Sequence, residues 1–392
     1  MDKTDYKYFP YGRQNVTEED IKAVNEVLRS DFLTQGPKVP DFEKNISSYL
    51  DVKYSLAVSN ATSALHLACL TLDLKEGDFV WTSPTTFVAS ANCARYCGAD
   101  IDFVDIDINT GLMDVNKLSE KLSIAKKNKK LPKIVIPVHL TGSSCDMECI
   151  YQLSKQYGFA IIEDASHALG GQYKNSFVGS CDYSDFTVFS FHPVKIITTG
   201  EGGILTTKNN ELAKKADRLR NHGIIKEKEL FENSYNGPWS YEQQMLGYNY
   251  RMNDIQASLG ISQLKRLRKI VDERNKQLKI YKDLLKSLPI KFLDIPKNVR
   301  SSVHLGVIKL EAFSKNEHRK IFCDLRKKGI GVQIHYCPVH LNPYFRKLGF
   351  SEGDFPNSEL YAQKAMSIPL YPGLGVDEQM HIIEIIKDVI LN

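Results

Sequence analysis

Short apolar runs alternate with longer mixed segments between about residues 50 and 210. Each run is bounded by polar or small residues, which is typical of strands in βαβ units. The predicted strands lie within 53–60, 78–84, 100–107, 133–142, 158–166, 185–192 and 202–207. The segments Thr62–Leu72 and Met147–Gln156 predict helices between them. We therefore expect an α/β fold with a large, mostly parallel sheet, which binds its ligand at the carboxyl ends of its strands.

After about residue 250 the pattern changes to helical spacing within a strongly charged stretch, which predicts one long amphipathic helix joining two domains. Its apolar positions are Leu264, Leu267, Val271, Leu278, Tyr281 and Leu285. The runs 301–310 and 331–335 predict strands of a smaller α+β domain. We place the large domain at 1–255 and the small domain at 256–392.

Composition agrees with an ordinary soluble globular protein. The chain has 392 residues, a net charge of +4, 42% hydrophobic residues and 25% charged residues, which excludes wholesale disorder, a collagen-like fibre and a membrane bundle. The basic run at 265–269 is followed by acidic residues and has no interleaved aromatics, so it predicts a solvated helix face and no nucleic-acid partner. No apolar run approaches ~18 residues and the first residues are polar, so we expect a cytoplasmic protein with no membrane contact.

Eight cysteines are present, with no CxxC pair. Cys93 and Cys97 are four residues apart, as are Cys145 and Cys149, a spacing that can place two metal ligands on one helix face. Scattered reduced cysteines acting as small apolar residues explain the pattern better. We therefore expect no metal site.

The segment from Ser190 to Gly203 carries the strongest chemical signal. Lys195 follows an apolar strand and lies in a loop rich in Ser, Thr and Gly. A lysine is costly to desolvate, and one with a lowered pKa can condense with an aldehyde. The alternative is an ordinary loop lysine.

A second signal lies at 161–170, where Glu163 and Asp164 end an apolar strand. A carboxylate at this position can pair with the protonated ring nitrogen of a cofactor. The alternative is that Asp164, followed by Ala, Ser and His, caps the start of a helix. These residues taken alone leave both interpretations open.

Two further segments complete the set. Residues 59–65 place small and hydroxyl side chains between a strand and a helix, where backbone N–H groups attract phosphate, and 83–90 places an aromatic ring after the next strand. Together the four segments supply an amine, a carboxylate, phosphate donors and a stacking face, as pyridoxal 5′-phosphate (PLP) requires. No HxxxH, HExxH, GxSxG, GxxxxGK[ST] or GxGxxG motif is present, which disfavours other cofactors and nucleophiles.

In this order of motifs the chain resembles the nucleotide-sugar aminotransferases of the DegT/DnrJ/EryC1/StrS family. The motifs are YGRQ (11–14), SDFLTQGP (30–37), NATSAL (60–65), EDASHALG (163–170), SFHPVK…TTGEGG (190–203), GYNYRMN (247–253) and HYCPVH (335–340). The resemblance implies the PLP-dependent fold type I of aspartate aminotransferase. The opening segments and EDASHALG are most similar to the subgroup that makes the 4-amino sugar precursor of pseudaminic acid.

The resemblance also implies roles for individual residues. Lys195 would bond to the cofactor, Asp164 would pair with its ring nitrogen, His167 would lie beside its phenolic oxygen, and Phe87 would stack on its ring. Further cofactor contacts would come from Ala61, Thr62, Ser63, Ser190 and Asn249. The first ~30 residues would line the sugar site. The sugar nucleotide would meet Tyr11, Asp31, Phe32, Leu33, Thr34, Arg251, Gln333, Ile334, His335 and Tyr336. Asn249 would reach the phosphate from the partner subunit, which implies a homodimer with shared sites.

The reaction implied is transfer of an amino group from L-glutamate to C4 of a 4-keto-6-deoxy UDP-N-acetyl-hexose. The alternatives are a different keto nucleotide sugar (of the legionaminic, bacillosamine or perosamine type, or a 3-keto sugar) and a non-catalytic PLP-binding regulator. A sugar dehydratase typically replaces the lysine by histidine, so the presence of Lys195 disfavours one. Two positions depart from the family: Ala61 stands where glycine is usual, and Thr141 stands where Tyr or Phe is usual.

Overall fold

The structure is a computed structural model, and it describes residues 7–392. Its strands are β1 (Tyr54–Val58), β2 (Phe79–Thr82), β3 (Asp100–Phe103), β4 (Ile134–Ile136), β5 (Ala160–Asp164), β6 (Gln172–Tyr173), β7 (Ser176–Phe177), β8 (Phe186–Ser190), β9 (Gly203–Thr207), β10 (Ile224–Ile225), β11 (Glu242–Gln243), β12 (Lys291–Phe292), β13 (Val299–Arg300), β14 (Gly306–Lys309) and β15 (Ala365–Ile368). All seven strands predicted between residues 50 and 210 are present.

The helices connect and cover these strands. They are α1 (Glu18–Leu28), α2 (Lys38–Leu50), α3 (Ala61–Thr71), α4 (Ala89–Tyr96), α5 (Val115–Lys127), α6 (Met147–Tyr157), α7 (Asn210–Arg220), α8 (Asp254–Leu264), α9 (Leu267–Leu284), α10 (Lys315–Lys327), α11 (Pro343–Arg346), α12 (Pro356–Lys364) and α13 (Val376–Leu391). The two helices predicted between the strands, α3 and α6, begin and end within one residue of their expected bounds. Both start at a polar side chain that accepts a backbone N–H, Asn60 for α3 and Asp146 for α6.

Seven strands form the large sheet in the order β1-β9-β8-β5-β4-β2-β3. The strands from β8 to β3 are parallel to one another, whereas β9 is antiparallel to both of its neighbours. The predicted mixed, mostly parallel α/β sheet is therefore confirmed. Alternate residues of each strand pack on opposite layers: Val58 joins the core that includes α3, α4 and α7, and Ala57 joins the core under α2 and α8.

A smaller antiparallel sheet, β12-β14-β15, packs with α9, α10 and α13 around a separate apolar core. Phe9 contributes to this core through its contact with Ile330, so the beginning of the described chain crosses to the later half. Helix α8 instead packs against α1 and α2. The division into 1–255 and 256–392 remains a prediction.

The prediction of one continuous helix across 264–285 is wrong at its start. The structure has two helices, α8 and α9, with a break at Lys265 and Arg266. Within the break the Arg266 guanidinium reaches the buried carboxylate of Asp20 in α1, at 2.6 Å, and the side-chain oxygen of Asn15. This ion pair requires the chain to turn away from a continuous helix, which periodicity alone does not reveal.

Two strand predictions in the later half also need correction. Of the run 301–310, only 306–309 forms a strand, because Ser301–Leu305 is held in a loop by hydrogen bonds to Thr141 and Gly142 in the turn after β4. The run 331–335 forms no strand; it makes a single backbone bridge, between Gln333 and Ser367. Strand β15, which pairs with β14, was not predicted.

Within residues 7–392, every helix is too short or too polar to serve as a membrane span. The polar opening of the chain, residues 1–6, lies outside the described residues. All eight cysteines are unpaired, and the described part of the chain contains no group of three or more His, Cys, Asp or Glu side chains arranged for a metal ion.

The carboxyl ends of β1 and β8 flank the start of β9, where Val58 and Ser190 both pair with Gly203. A Cβ at Gly203 would lie 2.5 Å from the backbone carbon of Asn60 and 2.6 Å from the nitrogen of Ala61. Glycine is therefore required for β9 to pass under the turn that begins α3. This close approach positions α3 against the edge of the sheet.

We expect Gly203→Ala to destabilise the protein by about 2–3 kcal/mol, because the added methyl meets backbone atoms that cannot rotate away. The free energy of unfolding in urea measures the effect. Gly12→Ala is the matched control, since its Cβ would come no closer than 3.7 Å to Val194. Equal stability of the two variants would contradict the prediction.

Candidate active site

The carboxyl edge of the large sheet forms one wall of a cavity of about 720 Å³. The start of α3 and the loop after β8 form its floor, and Tyr11, His335 and Tyr336 close the opposite side. This size is within the range of sites for small molecules and cofactors. Lys195 and Asp164 both line it, so the two strongest sequence signals meet in one place.

Lys195 lies in the loop that joins β8 to β9. Backbone bonds to Phe191 from Thr199 (3.0 Å) and from the Thr198 hydroxyl (2.9 Å) close this loop, and Ile196 and Ile197 anchor it in the core. Burial lowers the pKa of Lys195 to about 8, and the charge of Asp164 opposes that shift. A substantial fraction of the amine is therefore neutral near physiological pH, as a nucleophile requires.

Asp164 ends β5 with 5% of its surface exposed. The Ser90 hydroxyl donates to its Oδ2 at 2.5 Å, and Ser166 donates to its Oδ1 from both its backbone N–H (3.1 Å) and its hydroxyl (2.6 Å). No helix begins here, since the next element is the short strand β6. The helix-cap interpretation of Asp164 is therefore wrong: the carboxylate makes a local turn and faces the cavity.

The start of α3 supplies backbone donors. The Asn60 side-chain oxygen accepts the N–H of Ser63 at 2.8 Å and its hydroxyl at 3.0 Å. The N–H groups of Ala61 and Thr62 have no acceptor within residues 7–392, and both residues line the cavity. The free N–H groups and the helix dipole together favour a phosphate at this position.

His167 also lines the cavity, beside Tyr336. Its Nδ1 accepts the backbone N–H of Thr141 at 3.3 Å, and its Nε2 lies 3.2 Å from the hydroxyl of Tyr336. Burial lowers the pKa of His167 well below its usual range, and the charges of Lys195 and His335 act in the same direction. The imidazole is therefore neutral, and because Nδ1 accepts the Thr141 N–H, its proton is on Nε2.

Most of the predicted cofactor residues line this cavity. Besides Lys195, Asp164 and His167, they are Ala61, Thr62, Ser63, Phe87 and Ser190. Phe87 is 59% exposed, with its ring 6.3 Å from that of Tyr336. Of the predicted sugar-side residues, Tyr11, His335 and Tyr336 also line the cavity, with the Tyr11 ring against His335 at 4.8 Å.

The other predicted residues lie outside the cavity of this protomer. Asn249 and Arg251 flank the cavity-lining Tyr250; Asn249 bridges to Asn221, and Arg251 donates to the Asn221 side chain at 2.6 Å. The segment Asp31–Thr34 is exposed and tied to the start of α8 through the backbone of Leu33. Gln333 and Ile334 directly precede His335 and Tyr336 in the chain but do not line the cavity. Their roles stay predictions.

The sequence interpretation missed several residues that the structure places at the site. They include Asn60, His66, Ser90, Ser166, His192, Glu201 and Tyr250. Ser90 and Ser166 lay within the segments already singled out, and a search for hydroxyls beside the predicted carboxylate could have found them. Among the lining residues of the described chain, Lys195 is the single lysine or arginine.

A family model of DegT/DnrJ/EryC1/StrS aminotransferases matches residues 14–387. The chain belongs to this aminotransferase family. It is 37% identical over 369 residues, 94% of either protein, to UDP-4-amino-4,6-dideoxy-N-acetyl-beta-L-altrosamine transaminase of Campylobacter jejuni.

Solved structures of relatives have the same fold as this aminotransferase. Spr1654 of Streptococcus pneumoniae in its PMP form has a TM-score of 0.89 and 32% identity, covering 97% of this chain and 98% of that one. A PLP form of Spr1654 is also known. Helicobacter pylori PseC, an aminotransferase involved in the biosynthesis of pseudoaminic acid, has a TM-score of 0.89 and 30% identity, covering 98% and 100% of the two chains.

The aminotransferase is a PLP-dependent sugar aminotransferase of fold type I. The residues that line its cavity fit the cofactor. A partly neutral amine, a buried carboxylate with fixed orientation and two unpaired N–H groups at a helix start converge on one space. These are the groups that an aldehyde, a pyridinium nitrogen and a phosphate need.

The lowered pKa of Lys195 predicts a pH-dependent stability in the cofactor-free aminotransferase. The unfolded lysine, near 10.5, binds more protons than the folded one, near 8, between those two pH values. The cost of burying Lys195 is therefore present at pH 7 and disappears as the pH rises through this range. We expect Lys195→Met to stabilise the cofactor-free protein at pH 7 and to have a smaller effect at pH 10.

Urea unfolding at the two pH values measures this difference. Lys347→Met is the control, because Lys347 is exposed and should give no such dependence. If Lys195→Met raises the free energy of unfolding by the same amount at pH 7 and pH 10, removal of the buried charge is not the cause of the increase.

Proposed function

We propose that this aminotransferase moves the amino group of L-glutamate to C4 of a 4-keto-6-deoxy UDP-N-acetyl-hexose. The product would be a 4-amino-4,6-dideoxy sugar nucleotide for the biosynthesis of pseudaminic acid. The convergence of Lys195, Asp164 and the start of α3 on one cavity is the observation that carries amino transfer. The name of the Campylobacter relative, at 37% identity over 94% of the chain, supports the choice of sugar.

PLP, when bound, supplies an aldehyde that accepts amino groups and a ring that withdraws electrons from the reacting carbon. We propose that the Lys195 Nζ holds the aldehyde at rest and, once released, takes the proton from Cα of glutamate. In the second half-reaction the same amine would return a proton to C4 of the sugar. Its pKa near 8 suits both directions, because an acid–base group works best near the operating pH.

Asp164 would hold the proton on the ring nitrogen. The three hydrogen bonds that it accepts, from Ser90 and Ser166, fix both carboxylate oxygens, so no side-chain motion is needed during the reaction. The Nε2 proton of His167 would point at the phenolic oxygen, and Phe87 would stack on the ring. The N–H groups of Ala61 and Thr62, with Ser63 and Ser190, would hold the phosphate.

A keto sugar and an amino donor are the substrates of a sugar aminotransferase, and we propose that the sugar enters past Tyr11, His335 and Tyr336. A pyrophosphate carries negative charge, yet the cavity has no free arginine or lysine of its own besides Lys195 within the described chain. We therefore propose that a second copy of the chain supplies the cationic side chains that bind the pyrophosphate. Arg251 and Asn249 of a second copy are the candidates.

Exposed apolar side chains support a homodimer. Trp239 is 77% exposed, Leu246 80% and Tyr241 61%, and they lie in the segment that precedes the GYNYRMN motif. Large apolar side chains grouped in this way are rarely left in water. Covering them with a second copy would bring Asn249 and Arg251 to a subunit boundary, as a shared site requires.

The substrate test uses purified enzyme, L-glutamate and a panel of UDP sugars with a keto group at C3 or C4. We expect 2-oxoglutarate and an amino sugar from the 4-keto-6-deoxy N-acetyl-hexose, identified by mass spectrometry and NMR. Lys195→Ala is the control and should give neither product. Turnover of only the 3-keto sugar would refute the proposed position, and cofactor binding without turnover of any member would favour a regulator.

The shared site predicts that two inactive variants complement each other. Lys195→Ala lacks the amine, and Asn249→Asp places a negative charge beside the proposed phosphate. Dimers mixed from the two contain one site with neither defect, so about a quarter of the wild-type activity should return after random subunit exchange. No recovery despite exchange shown by mass spectrometry would place Asn249 in its own protomer's site.

A further inference from the structure

Arg274 in α9 is wholly buried, and no carboxylate in the described chain pairs with it. Its Nη1 donates to the backbone oxygens of His304 and Leu370, each at 3.1 Å, and of Val303 at 3.4 Å. Its Nε and Nη2 have no partner within residues 7–392. A buried, incompletely satisfied charge costs several kcal/mol, so its placement needs an explanation beyond packing.

The guanidinium holds the loop Ser301–Leu305, which replaces the first half of a predicted strand. Val303 adopts a left-handed backbone, with φ of 51°, which a β-branched residue adopts only when its surroundings impose it. The loop is then hydrogen-bonded to the turn that follows β4: Ser302 N–H donates to the Gly142 oxygen (3.1 Å) and His304 N–H to the Thr141 oxygen (2.7 Å). The side chain of Ser302 donates to the backbone oxygen of His167 (2.8 Å).

These bonds lead to the His167 ring. Thr141 is itself left-handed, with φ of 61°, and its N–H is the donor to His167 Nδ1. The His304 ring lies against the His167 ring, with centroids 4.4 Å apart. Which nitrogen of a neutral imidazole carries the proton is decided by the hydrogen bond at the other nitrogen. The position of the Thr141 N–H therefore selects the Nε2–H form of His167.

A second contact of Arg274 is to a segment that supports Tyr11. Leu370, whose oxygen it binds, donates its N–H to the oxygen of Tyr11 at 3.1 Å. The Tyr11 ring packs on His335. One guanidinium thus contacts backbone segments that support both His167 and Tyr11, which line the cavity.

We propose that Arg274 is a positioning residue for amino transfer: it holds the Val303–His304 backbone so that Thr141 presents its N–H to His167 and keeps the ring proton on Nε2, facing the cofactor. The proposal rests on the cofactor contact proposed for His167. It does not depend on which sugar is the substrate. Arg274 touches neither the cavity nor the reacting atoms, so it acts only through the backbone it binds.

The ring ¹⁵N shifts of His167 test the proposal in the PLP-bound enzyme without substrate. Enzyme labelled with ¹⁵N-histidine is compared with Arg274→Met, which removes the donors and keeps the length, and the His167 signals are assigned by their loss in His167→Gln. We expect the two shifts to move toward an averaged pair of tautomers in Arg274→Met. The kcat should fall about tenfold with little change in the KM for glutamate, and Arg274→Lys should restore part of both.

Asn275→Ala is the matched control. Asn275 is the next residue of α9 and donates to the oxygen of Ser301 at 3.0 Å, so it ties the same loop without reaching Thr141. It should lower the melting temperature and leave the His167 shifts unchanged. If Arg274→Met does not fold, Ser302→Ala takes its place, because it loosens the loop at His167 and keeps the buried charge.

Unchanged His167 shifts in a folded Arg274→Met or Ser302→Ala enzyme would overturn the proposal. So would equal losses of kcat in Arg274→Met and Asn275→Ala, since these would reveal only a stabilising role. If no sugar of the panel is converted, the ¹⁵N shifts of His167 still test the role of Arg274, because they are recorded without substrate. The two proposals can therefore fail separately.

Discussion

The two carboxylates at the end of β5 point to opposite faces of the sheet, and the site depends on this division. Glu163 accepts a bond from the buried His139 Nε2 at 2.7 Å and from the hydroxyls of Ser184 (2.5 Å) and Thr187 (2.9 Å). The backbone N–H of Cys145 donates to His139 Nδ1 at 3.2 Å, so the ring carries its proton on Nε2 and donates it to Glu163.

Leaving the buried Glu163 carboxylate without this donor costs about 3 kcal/mol. The same His139 donates its backbone N–H to the backbone oxygen of Asp164 at 3.0 Å. The His139–Glu163 hydrogen bond on one face thus fixes the backbone that carries the catalytic carboxylate proposed on the other. Lys195, the start of α3 and His167 line the same cavity as this carboxylate.

The sequence was sufficient for the seven strands of the large sheet and for the meeting of Lys195 with Asp164, because strand ends follow directly from apolar runs. It could not reveal that β9 is antiparallel, because a buried strand has the same apolar pattern whichever way it runs. The break at Arg266 and the loop Ser301–Leu305 depend on partners far away in sequence. Arg274 did leave a signal: it lies three residues after Val271 and four before Leu278, on the apolar stripe of its helix.

The start of α3, where we propose that the phosphate binds, offers main-chain N–H groups, and within residues 7–392 no lysine or arginine other than Lys195 lines the cavity. A donor that belongs to the backbone is present whatever side chain the residue carries, provided that the turn is kept. Substitutions in this turn are therefore tolerated as long as Asn60 still caps the helix and Gly203 still passes beneath it. Alanine at position 61 meets this condition, because its side chain leaves the backbone N–H groups and the dipole of the helix in place.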